Sequence, residues 1–84
     1  MVIEKVIPTD KFERDVKKLR DRNTKERIDA EVKLIIANPG VGKPLRYGLK
    51  GERSVRIPPY RLIYAVVGNS LILLRFEHRN EVYD

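Results

Sequence analysis

The hydrophobic period changes part-way along this chain, and that change limits the folds open to it. Up to about residue 37 the apolar residues recur at helical spacing. From Arg53 onward they alternate with polar ones. Phe12, Val16 and Leu19 stand at i, i+4 and i+7, a narrow stripe that needs something flat to lie on. Ile28, Val32, Ile35 and Ile36 mark one side of a second helix. Asn38-Pro39-Gly40 then stops the helical pattern. Downstream, Arg53-Ser54-Val55-Arg56-Ile57 puts Val55 and Ile57 on one face of a strand and Ser54 and Arg56 on the other. With 84 residues and no cysteine, only about 60–65% of the unfolded surface can be buried. No disulfide or thiolate metal site adds to that core. Helices over one face of a sheet are the economical arrangement.

The elements follow from local signals. Residues 2–7, VIEKVI, read as a first strand ended by Pro8. Asp10 with Glu13 has the spacing of a capping box and opens a helix over about residues 10–21. RDRN at 20–23 is a tight connection, and Asn23 with Glu26 repeats the capping pattern before a helix over about residues 24–37. Pro58-Pro59 ends the strand after Ile57, Tyr60 to Val67 is a second strand, and Gly68-Asn69 reads as a hairpin turn into a third over Leu71 to Phe76. The expected fold is α+β in the order β-α-α-β-β-β, one domain over residues 1–84. A helical hairpin packs on one face of a small, mostly antiparallel sheet.

The formal net charge is +6, and its distribution is uneven. From Lys43 to Arg75 the bases are Lys43, Arg46, Lys50, Arg53, Arg56, Arg61 and Arg75, against the single acid Glu52. A one-sided field of this kind attracts polyanions, nucleic acid foremost. The first residues show no charged segment leading into a long apolar run. No stretch approaches the ~20 apolar residues of a membrane span, so a cytoplasmic protein is expected. Tyr60 and Tyr64 read as sheet-packing residues, and Lys17-Lys18 as a solvated helix face.

Several stretches taken together resemble the RelE-type toxins of the RelE/ParE superfamily. They are Leu49-Lys50-Gly51, the strand bearing Arg56, Tyr60-Arg61-Leu62-Ile63-Tyr64, and His78-Arg79 followed by Tyr83. The resemblance covers nearly the whole chain. It implies a ribosome-dependent mRNA endonuclease, held inactive by a RelB-like antitoxin with an acidic segment, that works without metal or cofactor. In that family the substrate's 2′-hydroxyl attacks the adjacent phosphorus. The protein then has to orient the nucleophile, stabilise charge on phosphorus and move two protons.

Carried over by residue, the resemblance makes Arg61 and Arg79 the phosphate-stabilising arginines and Tyr83 the C-terminal tyrosine that stacks on a base or assists the 2′-hydroxyl. Arg56 sits where the family has a Lys or Arg, and His78 is a candidate acid or base. Lys50, Arg53 and Arg75 are expected to contact RNA phosphates. Two positions depart from the pattern. Ser54 and Arg56 occupy the place of two lysines on the strand before Arg61, and arginine, unlike lysine, does not give up its proton. The identity of the general base is therefore left open. Pro58-Pro59 replaces a Gly-containing turn. A ParE-like gyrase poison and a catalytically degenerate RNA-binding member are the alternatives, and Leu34 is a candidate edge for antitoxin packing.

Overall fold

A computed structural model describes residues 2–45 and 51–78. The chain runs β1 (Lys5–Pro8), α1 (Asp10–Lys17), α2 (Arg22–Ala37), β2 (Lys43–Pro44), β3 (Glu52–Ile57), β4 (Tyr60–Val67) and β5 (Ser70–His78). The five strands form one sheet in the order β1-β5-β4-β3-β2. β1 lies parallel to β5, and the other neighbours are antiparallel. The α+β class and the element order match the expectation, with the two-residue β2 added at the sheet edge.

The first strand spans Lys5–Pro8 rather than residues 2–7, the last runs over Ser70–His78 rather than Leu71 to Phe76, and the helix boundaries also differ from those expected. The first helix is capped by Thr9, whose hydroxyl accepts from the Phe12 N–H at 3.1 Å. Asp10 is therefore inside the helix, where its charge suits the first turn. That helix ends at Lys17, so Leu19 reaches the core from the connection rather than from the helical stripe. The second helix is capped by Asp21, which accepts from the Asn23 N–H at 3.0 Å and from the Thr24 hydroxyl at 2.8 Å.

The core lies between the helices and one sheet face. Phe12, Ile28 and Ile35 of the helices meet Val55, Ile57, Leu62, Tyr64, Leu71, Leu73 and Phe76 of the strands. Strand alternation would send Leu71 and Leu73 to one face and Phe76 to the other. A register shift resolves this conflict: Ile63 pairs with Arg75, but the next residue, Tyr64, pairs with Leu73, so Leu74 is an extra residue on β5. This bulge lets all three apolar side chains face the helices. The turn after β4 is the expected one. Gly68 has φ +60, and among the described residues no non-glycine has positive φ, the sign pattern of a type II′ hairpin turn. At the other hairpin, β3 and β4 are joined through Pro58-Pro59, whose peptide bond is cis. Arg27 of α2 donates to the Pro58 carbonyl at 2.9 Å and ties the helix to that corner.

Candidate functional site

On the sheet face away from the helices, Arg56 of β3 and Arg61 of β4 are direct Cα partners. Directly opposed residues of an antiparallel pair share a face, so the two guanidinium-bearing chains rise side by side. Arg56 is exposed and Arg61 is only 7% exposed. They line a groove of ≈ 480 Å³ together with Lys43, Pro44 and Leu45 at β2, Ser54 and Val55 of β3, Glu31 of α2, and Val41. Pairing with β2 takes in only Arg53 and Ser54, and β3 continues past it to Ile57 beside the groove.

The neighbouring end of the same face is balanced by acids. Arg75 donates through Nη2 to Glu52 at 2.9 Å and pairs through Nε with Glu77 at 3.0 Å. Arg75 is the cross-strand partner of Ile63, which is fully buried. Its charge is thus engaged within the sheet, and its stem lies on the side of an apolar residue. Arg53 points its guanidinium back into its own fold, donating to the Gly42 carbonyl at 2.7 Å and to that of Gly40 at 3.5 Å.

His78 is placed differently from Arg61. It pairs with Tyr60, whereas Arg61 pairs with Glu77. The His78 side chain therefore alternates onto the helix-bearing face, where its ring meets that of Tyr60 edge-on with centroids 5.4 Å apart. Tyr60 in turn stacks on Phe76 at 4.8 Å. Of the residues expected at the site, the structure brings Arg56 and Arg61 together and sets His78 on the other face. Lys50, Arg79 and Tyr83 lie outside the described residues.

Two features of the site are not singled out by the sequence. One is the place of Lys43, which is counted in the basic run and is the direct partner of Ser54, on the same face and in the same groove as the arginines. The other is the clamp on the loop that delivers it. The fully buried Tyr64 donates its hydroxyl to the Pro39 carbonyl at 2.7 Å and accepts from the Gly42 N–H at 2.9 Å. Burial raises the Tyr64 pKa above its ordinary value of 10.0, only partly offset by the Gly42 N–H and the charge of Arg53. A Cβ on Gly42 would lie 2.7 Å from the Tyr64 hydroxyl, so glycine is required there for close approach. Among the described residues, no three His, Asp or Glu side chains gather at metal-ligand spacing.

The sequence over residues 6–83 matches the family described as the ParE toxin of type II toxin–antitoxin system, parDE. The chain belongs to this toxin family. Toxin RelG of Mycobacterium tuberculosis is 42% identical to it over 45 residues, 51% of this chain and 52% of that protein. The match thus spans about half the length of that curated relative. Among solved structures, the toxin resembles a chain of the RelBE2 toxin–antitoxin complex of Mycobacterium tuberculosis. That likeness has TM-score 0.76 and 33% identity, over 93% of this chain and 100% of that one. The YoeB/ParE toxin from Agrobacterium tumefaciens shares the fold at TM-score 0.80 and 23% identity, over 89% and 98% of the two chains. The RelB–RelE complex from Methanococcus jannaschii does so at TM-score 0.73 and 22% identity, over 93% and 95%. Both the α+β architecture and the RelE/ParE superfamily expected from the motifs are thereby established. Within this toxin Arg56 and Arg61 stand side by side at the groove, and Glu77 is the cross-strand neighbour of Arg61 on its other side.

Proposed function

We propose that this toxin is an mRNA endonuclease acting on translating ribosomes in the cytoplasm, and that a cognate antitoxin with an acidic segment holds it inactive. The observation that carries this reading is the direct Arg56–Arg61 pairing on the sheet face away from the helices, both residues lining one groove. Two guanidiniums on directly opposed residues offer forked donors to the oxygens of one phosphate.

The reaction would form a bond between the 2′-oxygen and phosphorus and break the bond from phosphorus to the 5′-oxygen, leaving a 2′,3′-cyclic phosphate and a 5′-hydroxyl. The nucleophile belongs to the RNA. The protein supplies orientation and stabilises the extra negative charge of the phosphorane. In this assignment Arg61 and Arg79 hold the phosphate, Arg56 supports them, and Tyr83 orients the attacking hydroxyl. His78, on the helix side of the sheet, suits packing against Tyr60 better than proton transfer at Arg61. Lys50 and the remaining positive field would steer the complex toward ribosomal RNA. Arg53 and Arg75, whose guanidiniums already have partners inside the fold, would contribute charge more than contact.

An antitoxin partner is supported by the family and by its solved relatives, since the RelBE2 and RelB–RelE structures are toxin–antitoxin complexes. The acidic segment follows from the charge: a +6 chain with an open cationic groove fits a negatively charged strand or helix that folds on binding.

Purified toxin added to ribosomes programmed with a defined mRNA tests the reading, with new ends mapped by primer extension. Cuts confined to the decoding-site codon, lost in Arg61→Ala, are the expected result. A folded protein that makes no cuts overturns it, and gyrase-linked DNA breaks from the same preparation would put the ParE-like activity in its place.

A further inference from the structure

We infer that Lys43 is a phosphate-binding residue of the RNA groove, completing with Arg56 and Arg61 a three-cation cradle drawn from three neighbouring strands. The inference rests on the reading of the groove as an RNA site and goes beyond it by adding a ligand from the sheet edge.

Register places Lys43 first. It is the Cα partner of Ser54, so it shares the sheet face of Ser54, and Arg56 follows on that face two residues along β3. Arg56 in turn opposes Arg61. The three cations therefore stand on β2, β3 and β4 of one face and line one groove. Strands lie about 4.8 Å apart, so side chains of this length converge readily on a nucleotide phosphate. Lys43 is exposed, and no ion pair holds its ammonium among the described residues.

The second observation concerns the backbone. A surface lysine ordinarily sits on a main chain with no special restraint. Here the preceding residue, Gly42, is held at two points: its N–H by the Tyr64 hydroxyl and its carbonyl by Arg53. On the far side the Leu45 N–H bonds the Glu52 carbonyl at 3.0 Å. A two-residue strand is thus fixed at both ends, and Lys43 is its one cationic side chain. A fixed Cα lowers the entropy lost when the ammonium settles on a phosphate. Ser54 opposite Lys43 is small and leaves the ammonium room to cross toward Arg56.

Binding of a fluorescein-labelled single-stranded oligoribonucleotide, followed by anisotropy over a range of KCl, tests this independently of cleavage. Lys43→Ala is expected to weaken binding several-fold whatever the sequence, and to lower the slope of log K against log salt by about 0.7, the value of one phosphate contact on a single strand. Lys43→Arg should restore both. Lys17→Ala on α1, an exposed lysine away from the groove, should change neither. The same variants are then assayed on programmed ribosomes, where Lys43→Ala should cut more slowly and Lys43→Arg normally.

An unchanged slope together with unchanged cutting in a folded Lys43→Ala variant overturns the inference while leaving the nuclease reading intact. A Lys43-dependent slope in a wild-type protein that cuts nothing supports Lys43 as a phosphate ligand and sinks the nuclease reading. If the wild-type protein cuts mRNA on the ribosome but does not bind the free oligonucleotide, the cutting rate of Lys43→Ala decides alone. Neither binding nor cutting by the wild-type protein overturns both.

Discussion

Arg56 and Arg61 oppose each other directly across the β3–β4 ladder, two like charges on neighbouring strands. Such a pair opposes folding by about 0.2–1 kcal/mol. Arg56→Thr, which keeps a β-branched residue on the strand, is therefore expected to stabilise the protein by about 0.5 kcal/mol while weakening RNA binding. Added salt should stabilise the wild-type protein more than the variant, because only the former has the repulsion to screen. Urea denaturation at low and high salt measures this. A variant less stable than wild type at low salt would show that Arg56 is held by its stem contacts rather than strained by its charge.

Thr9 joins the first helix to the bulge in β5. Its N–H bonds the Leu73 carbonyl at 3.0 Å, and its hydroxyl reaches the carbonyls of Leu73 and Leu74, each at 2.9 Å, while accepting from Phe12. The hydroxyl thus serves both the helix end and the extra residue of the strand. Thr9→Val keeps the shape and removes these side-chain bonds, and the expected cost is about 1–3 kcal/mol, more than a cap alone. A loss of a few tenths of a kcal/mol would mean that water replaces Thr9 at the bulge.

These two sites show what the sequence made legible. The change of hydrophobic period revealed two helices followed by strands, and Gly68-Asn69 marked its turn because only glycine readily supplies positive φ there. Thr9 was hidden by Asp10 beside it, also a good capping residue, and only the β5 carbonyls decide between them. The strand Lys43–Pro44 is too short to show alternation, so the sequence counts Lys43 in the basic run without assigning it a face. His78 stands beside Arg79 in the sequence, and the last strand reads as ending at Phe76. Once β5 extends to His78, simple alternation sends its ring to the Tyr60 side. The sequence puts Arg56 and Arg61 on consecutive strands, but their direct opposition depends on the length of the Pro58-Pro59 turn.

Tyr64 gives the protein a pH signature. Burial raises its pKa in the folded state, so the unfolded chain releases this proton at lower pH than the folded one. The contribution is fully present below the unfolded value of 10.0 and is lost as pH rises from there through the higher folded value. Tyr64→Phe should cost about 1–3 kcal/mol at neutral pH, since the Gly42 N–H and the Pro39 carbonyl both lose their partner. It should also flatten the fall in stability above pH 10. Equal alkaline slopes in the two proteins would show that another group dominates there.

The last prediction concerns a carboxylate that does the work of a strand. β1 stops pairing at Pro8 opposite Leu73, yet β5 runs on to His78. Past that point the Phe76 N–H is buried and turned away from any fifth-strand partner, and it donates instead to Asp15 of α1 at 3.0 Å. Asp15 is itself buried, and its other oxygen meets Lys11 one helical turn earlier at 2.6 Å. Removing the acceptor leaves a buried donor unsatisfied, so Asp15→Ala should cost about 2–3 kcal/mol. Asp15→Asn keeps a carbonyl oxygen for Phe76 and loses the charge that strengthens the bond and holds Lys11. Its cost should fall to about half. Amide hydrogen exchange gives the local readout: the Phe76 N–H should exchange faster in the Ala variant than the global loss of stability explains, and nearly in step with it in the Asn variant. If the Ala variant instead protects Phe76 in proportion to its global stability, a water has taken the carboxylate's place, and the edge of β5 is kept by solvent rather than by the helix.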